Sequence, residues 1–233
     1  MPHLDRSLIA GLPAFAGVSG EELDRVLASA RSARHPKDSE VFSQGEEAGH
    51  FFLLLSGHIR VAQTSPGGQQ VVARYITEGE LFGIAVAMGR STYPASAVAA
   101  IDCVALAWPN SLWPELQARF PSFGASAYLT IGSRLQDTQA RVIEMSTEQV
   151  EQRIAHTILR LVKQSGRKTE SGIEIDFPIT RQDIAEMTGT TLHTVSRLLS
   201  GWESDGLVRS GRQKVTVTDP HELMLVAENR RRK

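Results

Sequence analysis

The chain has 233 residues, 41% of them hydrophobic, and a formal net charge of −1. That content can bury one large or two modest cores, and it excludes a disordered polar chain. No stretch approaches the roughly 18 uncharged apolar residues that span a bilayer. The opening, MPHLDRSLIAGL, carries Asp5 and lacks the basic start, apolar run and small-residue cleavage site of a signal peptide, so a cytoplasmic chain with no membrane partner is expected. A single cysteine, Cys103, excludes an internal disulfide framework and any metal cluster needing two to four thiolates from one chain. It reads as a small buried apolar residue.

From Val41 to Leu106 the chain is a series of short β-rich runs broken by glycine: VF, HFFLLLSG, HIRVAQ, QQVVARYI, ELFG, ASAVAA and CVALAW. Gly45, Gly57, Gly68 and Gly79 recur every 11 or 12 residues and Gly83 follows, a spacing suited to a tight turn after each strand. Pro66-Gly67-Gly68 marks a hairpin tip. Ahead of this block, Ser19 with Glu22 predicts the capping box of a short helix.

After Pro121 the period becomes helical, with Tyr128, Ile131, Leu135, Thr138, Val142 and Met145 spaced alternately by three and four. Such a stripe either packs on its own domain or forms a coiled-coil seam with a second copy. The polar residues on its other faces, Arg134, Gln136, Asp137, Gln139 and Arg141, favour the seam. Ser146, with Gln149 three residues on, predicts a fresh helix running to Gly166. The polar stretch Gln164 to Gly172 closes it, and Ile173 to Phe177 alternates like a strand.

The segment TRQDIAEMTGTTLHTVSRLLSGWESDGLV, Thr180 to Val208, carries the most information. Thr180 caps a helix whose inner face is Ile184, Ala185 and Met187. Gly189 takes a sharp turn. Thr190 or Thr191 caps a second helix whose buried face is Val195, Leu198, Leu199 and Trp202. His193, Ser196 and Arg197, at i, i+3 and i+4, project opposite that face and suit base edges in a major groove. Arg209, Arg212 and Lys214 then sit on a hairpin, a basic wing for the phosphate backbone. An ordinary helical hairpin with a solvated arginine would need the glycine, the caps and the wing to coincide by chance. The charge agrees: residues 1–146 hold 11 Lys/Arg against 14 Asp/Glu, net −3, and residues 147–233 hold 14 against 12, net +2.

Three segments together resemble the CRP/FNR superfamily of transcription regulators across nearly the whole chain. QGEEAGHFFLLLSG…EGELFG resembles its effector-binding roll, RLQDTQARV its dimer helix and TRQDIA…G…TVSRLL its DNA-binding signature. The resemblance implies an α+β fold in three parts: an N-terminal β-roll of the cyclic-nucleotide-binding jelly-roll type (1–120), a long dimerisation helix (121–146) and a C-terminal winged helix-turn-helix (147–233). It implies a homodimer on a palindromic duplex site, with Thr180, Arg181, Thr190, Thr191, His193, Ser196, Arg197, Arg209, Arg212 and Lys214 toward DNA. RNA polymerase is the implied protein partner, with hairpin tip Ser65–Gln69 as its contact.

The departures concern the effector. Cyclic-AMP-binding members carry a ribose-holding glutamate after the second glycine and a phosphate-holding arginine before Ser-Ala. Here Ile84 follows Gly83, and Pro94-Ala95 stands where Arg-Ser would be, which argues against cyclic AMP. One cysteine cannot hold the iron-sulfur cluster of the oxygen sensors. TTLHTVSRLLS and YPASA resemble the nitric-oxide-responsive denitrification regulators of the NnrR and DNR types, implying a nitrogen-oxide signal, with haem as a candidate cofactor. His50 and His58 are its candidate ligands, and each also reads as an ordinary strand residue. Phe82, Ile84 and Met88 would either face such a cofactor or form core. Among rivals, a redox signal at Cys103 stays within the class, and a regulatory module for a protein partner has no use for the winged motif. An enzyme lacks any catalytic constellation.

Overall fold

A computed structural model describes residues 9–12, 15 and 18–231. The chain divides into two compact units. One runs to Thr64 and resumes over Arg74–Asp137, and the other comprises Ser65–Ala73 and Thr138 onward.

The first unit opens with α1 (Gly20–Ala28), where Ser19 and Glu22 form the expected capping box. Eight strands follow: β1 (Arg31–His35), β2 (Glu40–Phe42), β3 (His50–Ser56), β4 (Ile59–Thr64), β5 (Gln70–Ile76), β6 (Leu81–Phe82), β7 (Ser96–Ala99) and β8 (Cys103–Pro109). They form two sheets, ordered β1-β8-β3-β6 and β2-β7-β4-β5. Strand β1 lies outside the predicted runs. Its sequence, RSARH, carries three basic side chains and no large apolar one, because it is an edge strand paired only with β8.

One core gathers Phe51, Trp108, Trp113 and Phe123, with Phe51 stacked on Trp108 at 5.3 Å and edge-on to Trp113 at 5.2 Å. Burying such rings contributes about 1.5–3 kcal/mol each. The Trp108 indole Nε1 donates to the Val26 carbonyl at 2.8 Å, which fastens α1 to the roll. The other core lies between the sheets and includes Phe42, Phe52, Phe82 and Tyr93.

Beyond α2 (Trp113–Arg119), helix α3 (Pro121–Thr147) buries Phe123, Gly124 and Ala127 in the roll, and Ile131 packs against the same cluster. Arg134 donates to the Leu81 carbonyl and lies 3.9 Å from Glu80, which also pairs with Arg74. Burial, with Arg74 adding to it, pushes the Arg134 guanidinium down to about 10, and Glu80 opposes the shift. Arg134 therefore stays cationic at neutral pH.

The expected helix start at Ser146 is not observed. Ser146 sits in the last turn of α3, where its hydroxyl donates to the Val142 carbonyl at 2.8 Å. A hydroxyl satisfied within the helix has no reason to cap a new one. Gln149 instead caps α4 (Val150–Ser165), in a capping box with Gln152.

The second unit continues with β9 (Gly166–Thr169), β10 (Gly172–Ile175), α5 (Arg181–Thr188), α6 (Leu192–Ser204), β11 (Val208–Gly211), β12 (Lys214–Val217) and α7 (Pro220–Ala227). Its sheet runs β11-β12-β10-β9, and Ile154, Ile158, Ile184, Val195, Leu199, Trp202 and Leu223 are buried. Strand β9 falls in the stretch read only as polar. It is a fully exposed edge strand, so its sequence has no apolar alternation to show.

The turn between β3 and β4 sets a stability test. Gly57 has φ +95°, and a Cβ there would lie 2.6 Å from Cys103 Sγ and 2.7 Å from the Asp102 carbonyl. At Gly68, φ is +79° but the space around it is open. Gly57→Ala is expected to lower unfolding free energy by about 2–4 kcal/mol and Gly68→Ala by about 1 kcal/mol. Urea midpoints compare them, and equal shifts would show that close packing at Gly57 adds no cost.

Candidate nucleic-acid interface

The helix-turn-helix is built by three local devices. Thr180 accepts from the Asp183 amide at 3.0 Å while the Asp183 carboxylate accepts from the Thr180 amide at 2.8 Å, so α5 starts with its free amides satisfied. Gly189 ends α5 at φ 62°, ψ 41°, a left-handed cap. Thr191 then caps α6 by accepting from the Thr194 amide at 3.2 Å, while the Thr190 amide bonds back to Ala185. Of the two candidate caps, Thr191 is the one used.

Val195, Leu199 and Trp202 bury one side of α6, and the Trp202 indole donates to Glu151 of α4 at 3.2 Å. Leu198 is only half-buried. On the opposite side His193 and Arg197 are exposed and Ser196 half-exposed, so the three polar side chains share one accessible face.

The wing is tied to both helices. Ser210 of β11 donates its amide to Glu203 at the end of α6, and its hydroxyl accepts from Arg181 of α5 at 2.8 Å. The Ile179 amide, just before α5, bonds the Gln213 carbonyl at the wing tip. Arg181 thus positions the wing. Arg209, Arg212 and Lys214 are all exposed, and the Lys214 ammonium lies 3.5 Å from Glu174 of β10, which Arg167 also engages. With Lys214 so exposed, the pair is worth at most about 1 kcal/mol and leaves the cation accessible.

Models of two families match the chain. One describes a Crp-like helix-turn-helix domain, over residues 152–226, and the other a cyclic nucleotide-binding domain, over residues 33–119. The chain is 30% identical over 209 residues to the cyclic AMP receptor protein of Thermus thermophilus, spanning 90% of this chain and 94% of that one. The chain belongs to the CRP/FNR family of DNA-binding transcription regulators. It is also 24% identical to electron transport regulator A of Shewanella oneidensis, over 91% of this chain and 83% of that one. Its fold is that of FixK2 from Bradyrhizobium japonicum, with TM-score 0.74 and 19% identity, covering 84% of this chain and 96% of that one.

In this CRP/FNR regulator the seam residues divide. Tyr128, Leu135, Val142 and Met145 are large apolar side chains left exposed, and Thr138 is exposed beside them, whereas Ile131 turns toward the roll. Leu129, 75% exposed, and Ile143, 62% exposed, flank the stripe and were not part of the sequence pattern. Their signal was the second seven-residue repeat, 129–136–143, interrupted by Gln136.

Aromatic rings fill the second core of the roll. Tyr93 stacks on Phe42 at 3.8 Å, and Phe52 and Phe82 extend the stack. The Tyr93 hydroxyl donates to the His50 carbonyl at 2.6 Å. Phe82 and Ile84 are buried in different cores and Met88 is exposed, so the three do not converge on a cofactor. His50 is exposed at the start of β3, and His58 is buried just past its other end. A seven-residue strand separates them by on the order of 20 Å. Two ligands of one metal ion stand within about 4–5 Å of each other, so these histidines do not fit a shared haem iron. Cys103 is buried, its Sγ donating to the His58 and Ile101 carbonyls at 3.3 and 3.1 Å, and burial pushes its thiol up. A thiol so placed is a poor redox sensor.

Arg197→Ala is expected to reduce preference for the cognate half-site over one lacking its guanine by about 1–3 kcal/mol, because a bidentate guanine contact is worth that much. Non-specific affinity should stay within about twofold of wild type. Anisotropy titrations on both duplexes measure this, and unchanged discrimination would assign base reading to another residue.

Proposed function

We propose that this regulator acts in the cytoplasm as a homodimer, that each α6 reads half of a palindromic site, and that its roll answers nitric oxide or a related nitrogen-oxide signal rather than a cyclic nucleotide. The carrying observation is the accessible face of His193, Ser196 and Arg197, placed beside a wing that Glu203 and Arg181 hold in position.

The exposed side chains of α3 support the homodimer. Leu135 and Val142, 57% and 59% exposed, lie one heptad apart on a helix that buries only its N-terminal turns in its own roll, so a second copy of the same stripe is the natural cover. Leu135→Asp with Val142→Asp would place four unpaired charges in that symmetric seam. Sedimentation is expected to show monomers without specific DNA binding. A double variant that stays dimeric would place the interface elsewhere.

Ile84 and Pro94-Ala95 support the effector reading. Ile84 is 1% exposed among apolar neighbours, and the Pro94 carbonyl accepts from Gln63 at 3.0 Å. Neither position supplies the ribose acceptor or the phosphate cation that a cyclic nucleotide requires, despite the kinship with a cyclic AMP receptor protein. The resemblance of TTLHTVSRLLS and YPASA to nitric-oxide-responsive regulators points to the nitrogen-oxide signal, with no step routed through haem.

A tenfold response needs only about 1.4 kcal/mol of differential effector binding between two states. Within the second unit, Arg141 of α3 donates to the carbonyls of Val72 and Ala73 in the β4–β5 hairpin and of Met187 in α5, so a shift of α3 moves the first helix of the DNA-binding motif. The tip of that hairpin, Ser65–Gln69, is the proposed contact for RNA polymerase.

DNA affinity measured without oxygen should change at least about tenfold with a nitric oxide donor. Cyclic AMP should leave it unchanged and bind no tighter than about 100 μM, an affinity that already represents over 5 kcal/mol. A response to cyclic AMP alone would overturn the effector assignment.

A further inference from the structure

Leu192 is the first residue of α6 and is 47% exposed, although it is apolar. Val195 and Leu199 continue its row along the helix and are completely buried. Leu192 lies one turn before them, past the edge of the domain core. On the other side it borders the accessible face, with His193 next in sequence and Ser196 one turn on. At about 100° per residue, Leu192, His193, Ser196 and Arg197 all fall within an arc of about 140°.

The N-terminal residues of a recognition helix are the ones that reach base edges. Those edges carry donors and acceptors and a single apolar group, the thymine C5-methyl. Leucine has nothing to pair with a guanine oxygen or a cytosine or adenine amino group, and covering such a group removes it from water without replacement. Thymine is the one base whose major-groove edge offers Leu192 a favourable surface.

We infer that Leu192 is a specificity-determining residue that reads the methyl group of one thymine per half-site, beside the base pairs read by His193, Ser196 and Arg197. The inference rests on the reading of α6 as the groove helix.

The test uses full-length protein and a duplex selected by wild type from a randomised library. Each thymine is replaced in turn by deoxyuridine, which lacks only the C5-methyl, and affinities are measured for wild type, Leu192→Ala and Arg197→Ala. One thymine per half-site should lose about fivefold affinity on replacement, about 1 kcal/mol, for wild type. Leu192→Ala should bind the thymine and deoxyuridine duplexes equally while keeping the wild-type thermal midpoint, as befits an exposed side chain. A deoxyuridine penalty that persists in Leu192→Ala, or the absence of any sensitive thymine, overturns the inference. Arg197→Ala separates the two levels: if it keeps full preference for the selected site, the groove-helix reading falls and the inference falls with it.

Discussion

A helix of 27 residues is about 40 Å long, and one β-roll can cover only part of its surface. In α3 the division is visible residue by residue. Phe123, Gly124, Ala127 and Ile131 are taken up by the roll, and Arg134 replaces apolar contact with bonds to the Leu81 carbonyl and Glu80. Tyr128, Leu129, Leu135, Val142 and Ile143 are left facing solvent. So contiguous an apolar face costs free energy unless something covers it. Toward the C-terminal end of α3, within the second unit, Arg141 holds the backbone at Met187 of α5.

The accessible face of α6 depends on a comparable constraint. Its buried side is anchored by Val195, Leu199 and Trp202, and its start is fixed by the left-handed turn at Gly189 and the Thr191 cap. With both translation and rotation set, His193, Ser196 and Arg197 have one direction in which to point. The wing has no freedom of its own either, since Glu203, Arg181 and the Ile179 amide each hold it. Helices and wing are therefore held as one preorganised surface, of the kind that keeps ordering costs small when a ligand binds.

Most of this was legible in the sequence, because it rests on residues whose chemistry has few uses. The glycines at 45, 57, 68, 79 and 83 all adopt positive φ, as their spacing at turns suggested. Ser19 and Thr180 cap where their partners three residues on implied. What stayed hidden has a common cause. Strands β1 and β9 are edges, and their exposed polar side chains carry no period. Ser146 had the composition of a cap, but continuing α3 satisfied its hydroxyl internally. Ile131, placed on the seam by spacing, also packs partly against the roll, and Lys214 of the wing also lies 3.5 Å from Glu174. Spacing gives the face a residue occupies, and only packing decides which neighbour fills it.

The same logic bears on the effector. A cyclic nucleotide brings a phosphate charge into a space between two sheets, and that charge must meet a cation or remain unpaired at a cost of several kcal/mol. Here the corresponding segment contributes Ile84, Pro94 and Ala95, and the space nearby holds the stacked rings of Phe42, Phe52, Phe82 and Tyr93. Tyr93 is fixed twice over, by its stack and by its hydroxyl bonds to the His50 backbone. Any group entering there has to displace or slide between those rings. Small uncharged molecules meet that condition at far lower cost than anions, because they carry no hydration shell of comparable strength to surrender. The kinship with a cyclic AMP receptor protein extends over 90% of this chain, while Ile84, Pro94 and Ala95 themselves bring no charge to meet a phosphate.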